Sequence, residues 1–207
     1  MEHNEKPRRK LSRTLPVVCL VLIVLSVIAG GAYAKYRKTV VMNDNIVVGN
    51  RLVEAFTLVE HKTVLQDGAY QLTDKTTVSD SLLYIPGAVI PMDPTLTIAG
   101  KSDIPALLYV EVIDKNPDGL LHYQLTEDWT LLPDVKGYHD GTVYVYQNGR
   151  ALTDSDDLNE IHLLRDDAVT LGEDAASVVE SLQFCGYLLQ SDGSSTPDAL
   201  FTAQFSR

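Results

Sequence analysis

The chain has 207 residues, 45% of them hydrophobic, a size and composition that suit one folded domain with its own core. With 17 Lys/Arg against 28 Asp/Glu its formal charge is −11, so its surface repels phosphates and anionic headgroups and nucleic-acid binding is excluded as an expected function. It has only two cysteines, and one of them, Cys19, lies in an N-terminal apolar stretch; the domain is therefore no disulfide scaffold.

Residues 1–34 read as a secretory signal peptide. Lys6, Arg8, Arg9, Lys10 and Arg13 precede an apolar run over residues 17–29, and Gly30-Gly31-Ala32-Tyr33-Ala34 closes it. The cations stay on the cytoplasmic side, the apolar run enters the bilayer, and the small side chains of Ala32 and Ala34 suit a signal peptidase that reads A-x-A. Cleavage after Ala34 is expected. The alternative is an uncleaved anchor, because residues 15–34 supply roughly the 20 residues of a spanning helix, and Lys35, Arg37 and Lys38 resemble an anchor's flank. In both cases membrane contact runs through residues 1–34 alone, and the rest of the chain is expected to be secreted, at the cell surface or in the extracellular matrix. The leader holds five Lys/Arg and two Asp/Glu, so the remaining 173 residues carry a formal charge of −14.

Residues 35–49 read as an N-terminal arm whose apolar pieces, Val40-Val41-Met42 and Ile46-Val47-Val48, are strand-like and need a partner. Val40, Val41, Ile46, Val47 and Val48 form a candidate assembly strand. Residues 50–207 read as a β-sandwich domain. Residues 50–55 carry a weak helix signal, and strands are expected over 55–59, 69–72, 81–85, 95–99, 106–113, 123–125, 142–147, 168–171 and 182–189. Pro86-Gly87, Pro91, Pro94, Asn116-Pro117-Asp118-Gly119 and Asp140-Gly141 separate them, and Asn148-Gly149 reads as a hairpin-type turn. In the longest strand Ala106, Leu108, Val110 and Val112 share one face, while Leu107, Tyr109, Glu111 and Ile113 share the other. Both faces are largely apolar, which places the strand in the centre of a sheet. Near the C-terminus, Thr196-Pro197-Asp198-Ala199-Leu200 has a capping residue, a first-turn proline and an acid, so a short helix is expected. The fold class is all-β: two packed sheets in a jelly-roll-like sandwich with one or two short helices.

Motifs for chemistry are absent. His61, His122, His139 and His162 are scattered, and no H-E-x-x-H, nucleophile elbow or phosphate-cradling glycine loop occurs. His162, with Glu160 and Asp166 nearby, reads as a solvated loop histidine. Cys185 sits in an apolar run and reads as a buried, inert thiol, because reactive thiols need a cationic setting. Asp154, Asp156, Asp157 and Glu160 are weak calcium candidates. As an EF-hand the segment fails, since Leu158, Asn159 and Arg165 occupy positions that need a ligand, a glycine and a glutamate. Trp129 reads as a core anchor. No catalytic residue, no other metal site and no cofactor beyond weakly bound calcium is expected.

The leader end Gly30-Gly31-Ala32-Tyr33-Ala34, then Ala55-Phe56-Thr57-Leu58, Ile85-Pro86-Gly87 and Lys101-Ser102-Asp103-Ile104-Pro105-Ala106 follow one another in a recognisable order. They lead into Leu107-Leu108-Tyr109-Val110-Glu111-Val112, then Trp129 ahead of Tyr144-Val145-Tyr146, and close on Tyr187-Leu188-Leu189-Gln190-Ser191-Asp192-Gly193. In that order the chain resembles the TasA/camelysin-like exported proteins of Gram-positive bacteria, which are released by a SipW-type signal peptidase. The resemblance implies a jelly-roll-like sandwich at the cell surface or in the biofilm matrix, a non-enzymatic fibre subunit whose partners are itself or other exported matrix proteins. It also implies assembly by β-augmentation, one subunit lending an N-terminal strand to the next, and residues 35–48 are placed to do so. Two differences stand out. Lys35-Tyr36-Arg37-Lys38 replaces the uncharged, hydroxyl-rich start usual after the leader, and no zinc signature matches the metal-dependent proteolysis associated with camelysin-like members. Two alternatives from other classes are a secreted camelysin-like metallopeptidase using scattered histidines and acids, and a membrane-anchored surface module that binds a wall component or another exported protein.

Overall fold

Short period-two segments between Gly and Pro breaks become strands. A computed structural model describes residues 39–48, 55–77, 79–83, 85–99, 105–115, 119–152, 158, 160–173, 181–191 and 193–205. The leader and residues 35–38 and 49–54 lie outside these. The described strands are β1 (Thr39–Val48), β2 (Ala55–Gln66), β3 (Ala69–Thr77), β4 (Ser79–Leu83), β5 (Val89–Pro91), β6 (Thr95–Ala99) and β7 (Ala106–Lys115). They continue as β8 (Leu121–His122), β9 (Trp129–Lys136), β10 (Thr142–Tyr146), β11 (Ile161–His162), β12 (Ala168–Leu171) and β13 (Ser181–Gln190), and helix α1 (Pro197–Phe205) follows.

The protein is an all-β sandwich. One sheet has six strands in the order β4-β1-β13-β7-β10-β9, a second has four, β11-β6-β2-β3, and a third has three, β5-β12-β8. Two sheets were expected, and the third is the correction. It is built from β5, β8 and β12, pieces of two to four residues, of which only β12 has an apolar run long enough to stand out in sequence. The ladders are antiparallel except between β1 and β13, which run parallel. These ladders do not by themselves establish the paired Greek keys of a jelly roll.

The central position expected for 106–113 is found. β7 lies between β13 and β10, and its first eight residues are all buried. On one face Leu108, Val110 and Val112 join Phe184 and Leu188 of β13 in a core with Phe56, Leu58, Leu96 and Ile98 of the four-stranded sheet and Val169 and Leu171 of the three-stranded one. Gly186 of β13 permits this close approach: a Cβ there would stand 2.9 Å from Leu96 Cδ2 and 3.0 Å from Phe56 Cζ. On the other face Leu107, Tyr109, Cys185, Tyr187, Val143 and Val145 pack with Phe201 of α1. A sheet covered on both faces needs such continuous apolar strands.

The remaining differences are local. β9 was not expected as a strand, because Pro133 interrupts it; as the last strand of its sheet, β9 tolerates a proline. Residues 123–125 are not a strand: β8 ends at His122, and Leu125 makes only an isolated bridge to Leu164. Ala55 begins β2 and is not helical, while residues 50–54 of that expected helix lie outside the described residues. Asn148 and Gly149 do adopt positive φ, 56° and 77°, yet they form a 3-10 turn after β10 and no hairpin, and the chain next bridges Leu152 to Ala106. The expected C-terminal helix runs on to Phe205, its start capped by Thr196 Oγ1, which accepts the Ala199 N–H at 3.3 Å.

Candidate functional site

Glu111 is the only charged residue in the eight-residue buried run of β7 and is wholly buried. A carboxylate taken out of water must recover its hydrogen bonds. The turn between β9 and β10 supplies them, its ends held by the Gly137 N–H on Gly141 O at 3.0 Å and the Asp140 N–H on Gly137 O at 3.1 Å. The backbone N–H groups of His139 and Gly141 both donate to Glu111 Oε1 at 2.8 Å. A Cβ at Gly137 would lie 2.0 Å from that oxygen, so only glycine lets the turn close over the carboxylate.

The other oxygen, Oε2, accepts the Tyr187 hydroxyl at 2.5 Å and faces His139 Nδ1 at 3.2 Å. Nδ1 also lies 3.4 Å from the Tyr187 hydroxyl and 3.7 Å from Cys185 Sγ. β13 sits beside β7 and presents both Cys185 and Tyr187 on the face of Glu111. The His139 side chain is 38% exposed, so it forms the solvent side of the group. Tyr138 packs edge-on against its ring with centroids 4.9 Å apart, and Phe205 of α1 packs on both Tyr138 and Tyr187. Burial, then the hydrogen bond to Glu111 and its charge, push the Tyr187 phenol far above the usual tyrosine range. That hydroxyl remains a proton donor.

Cys185 is buried, as expected, but its setting was not foreseen. A histidine and a carboxylate reach it from 46 residues away along the chain and from the neighbouring strand. The available signals were three isolated oddities: one acid in an apolar strand, one cysteine in another, and a histidine between two glycines in a hairpin loop. The thiol lies beneath the turn, so it is not placed to attack a substrate carbonyl, which needs an accessible nucleophile.

The other described histidines do not join this group. His61 pairs with Asp93, Nδ1 to Oδ2 at 2.6 Å, and His162 pairs with Asp167 at 3.0 Å on the surface. Among the described residues, the ligating atoms of three His, Cys, Asp or Glu side chains come within 4.8 Å of one another at Glu111, His139 and Cys185. Of the calcium candidates, Glu160 is exposed, and Asp154, Asp156 and Asp157 lie outside the described residues. So do Ala32 and Ala34. Val40, Val41, Ile46, Val47 and Val48 fall in β1, where Val40 stands opposite Leu82 of β4, and Ile46, Val47 and Val48 stand opposite Gly186, Tyr187 and Leu188 of β13. Trp129 is buried against Tyr146 and donates its indole N–H to His162 O at 3.4 Å, the anchor role expected.

A cleft of about 750 Å³ opens elsewhere, between the three-stranded sheet and the ends of β7 and β10, lined by Asp114, His122, Tyr123, Tyr144 and Arg165 among others. The Tyr123 hydroxyl donates to Asp114 Oδ2 at 3.0 Å, and Arg165 is held by Gln124 and Glu127 at 3.1 Å each. Burial raises the Asp114 carboxyl, and the Tyr123 hydrogen bond partly offsets it. Set against known proteins, the chain matches no family model, no curated protein and no solved structure.

Proposed function

We propose that the chain is a non-enzymatic structural protein, secreted or held at the cell surface, and a TasA-like fibre subunit of an extracellular biofilm matrix that assembles through its sheet edges. The observation that carries this reading is the seat of β1. It is the first described strand, it runs parallel to β13, and it fills a slot inside the six-stranded sheet between β13 and β4. β4 pairs with residues 39–43 only, so among the described residues 44–48 have a ladder partner on one side alone, β13. An edge of that kind is a template for another chain, whereas β9 at the far end carries Pro133, Asp134 and Lys136, which discourage pairing. Such a slot accepts the same strand from a second copy with the same contacts, so exchange costs little once the strand has left.

The test places cysteines at the register-matched Asn43 and Ser79 of β1 and β4, in a chain that also carries Cys19→Ser. Assembled material is pelleted, oxidised and run without reductant. A ladder of covalently joined subunits is the expected result, because β1 of one copy is then fixed to β4 of another. Filaments that dissolve entirely into cross-linked monomers, or a protein that never assembles, would overturn strand donation. The cleft at Asp114, Tyr123 and Tyr144 favours a second reading, a surface binding module, and a chain that stays monomeric leaves that reading in front.

A further inference from the structure

We infer that Glu111, His139 and Cys185 form a binding site for a single divalent zinc-class ion, seated under the β9–β10 turn. The geometry makes the argument. Three acceptors, Glu111 Oε2, the Tyr187 hydroxyl and Cys185 Sγ, converge on one ring nitrogen, His139 Nδ1, at 3.2, 3.4 and 3.7 Å. One N–H cannot serve three acceptors at once, and of the three only the 3.2 Å contact to Glu111 Oε2 falls within the usual N–H···O range. The contacts to Glu111 Oε2 and Cys185 Sγ also fit as edges of a coordination shell. Zinc bonds of about 2.0–2.1 Å to nitrogen, 2.0–2.2 Å to oxygen and 2.3 Å to sulfur, set at the tetrahedral angle, separate nitrogen from oxygen by about 3.4 Å and nitrogen from sulfur by about 3.6 Å. All three ligand atoms already lie within 4.8 Å of one another, so a side-chain adjustment of about an ångström completes the triangle.

Charge and support point the same way. A thiolate and a carboxylate neutralise a divalent ion in a place where neither charge alone is welcome. The thiolate and imidazole select a borderline or soft ion and disfavour calcium or magnesium, which want oxygen ligands. The ligands are held from outside as metal ligands usually are. The His139 and Gly141 N–H groups fix Glu111 Oε1, the Tyr187 hydroxyl orients Oε2, and Tyr138 packs on the His139 ring. His139, being 38% exposed, leaves a path for the ion and room for water as a fourth ligand.

The experiment titrates cobalt(II) alone, then zinc(II), into the full chain carrying Cys19→Ser so that Cys185 is its only thiol. The chain is first stripped with chelator. The expected result is one cobalt per chain with a thiolate-to-cobalt charge-transfer band, displaced by zinc. Zinc at a hundredfold excess over its dissociation constant should raise Tm by roughly 5 °C or more. Cys185→Ser should abolish the band, and His139→Gln should weaken binding by about 100-fold or more. Cobalt bound without a thiolate band, or bound as tightly by Cys185→Ser, would overturn the inference, as would no binding. Should Cys185→Ser fail to fold, the partly exposed His139→Gln decides: undiminished affinity there refutes the site.

Discussion

The glycine at position 137 and the acid at position 111 should be energetically one unit. In Gly137→Ala the new Cβ would fall 2.0 Å from Glu111 Oε1, 2.1 Å from Cδ and 2.6 Å from Cγ, and three such overlaps cannot relax without moving the carboxylate out of the turn. The backbone itself accepts alanine, because Gly137 is not among the residues with positive φ. Overpacking costs about 1–3 kcal/mol, and each hydrogen bond to a charged group that is lost adds about 1.5–3 kcal/mol. With the two turn N–H groups at stake, the substitution is expected to cost at least about 4 kcal/mol. Glu111→Ala leaves the buried Tyr187 hydroxyl without its acceptor, which should cost about 1–3 kcal/mol. In that background the three closest contacts of the methyl group added by Gly137→Ala are gone, so its own cost should fall to about 1 kcal/mol, a coupling of at least about 3 kcal/mol. Equilibrium urea unfolding of the two single variants and the double variant, all in chelator so that no ion contributes, closes the cycle. Equal costs of Gly137→Ala with and without Glu111 would refute the claim that the carboxylate holds the turn.

Two further outcomes are expected. Tyr109 and Tyr187 are fully buried and burial holds both phenols far above their usual range; above pH 10 the unfolded chain releases these protons and the folded chain keeps them. Their contribution is intact below the unfolded pKa, and stability then falls by about 1.4 kcal/mol per pH unit for each as the pH rises further. The last part of the tyrosinate absorbance should therefore appear together with the loss of circular dichroism at high pH, and ionisation of all ten tyrosines near pH 10 with the fold intact would contradict this. Gly186→Ala should lower stability by about 1–3 kcal/mol through contact with Leu96 and Phe56, and Phe56→Leu should relieve part of that penalty; strictly additive costs in thermal melts would show that the sheets do not meet there.

What was legible in the sequence was whatever a single strand declares about itself. Residues 106–113 announced a central strand because both faces are apolar, and residues 168–171 match β12 end for end. β9 was hidden by Pro133, which only its place at the end of the sheet makes acceptable, and two- or three-residue strands such as β5, β8 and β11 carry no periodicity to read. The site was hidden for a different reason. Glu111, His139 and Cys185 are separated by 28 and 46 residues, and each alone looks like an ordinary exception to an apolar or polar run.

Only the order β13-β7-β10 brings the three together, and strand order is a non-local property. The same order joins the site to the seat of β1, since Asn45 and Val47 stand opposite Cys185 and Tyr187 along β13. The two use β13 in different directions. β1 is held by backbone hydrogen bonds in the plane of the sheet, whereas the cluster is made by side chains standing off the face that α1 covers. Removal of β1 therefore takes no ligand from the cluster, and an ion bound at Glu111, His139 and Cys185 would lie off the face of β13 and outside the slot. Strand donation and metal binding can each fail without the other, and the cross-linking and cobalt experiments answer separate questions.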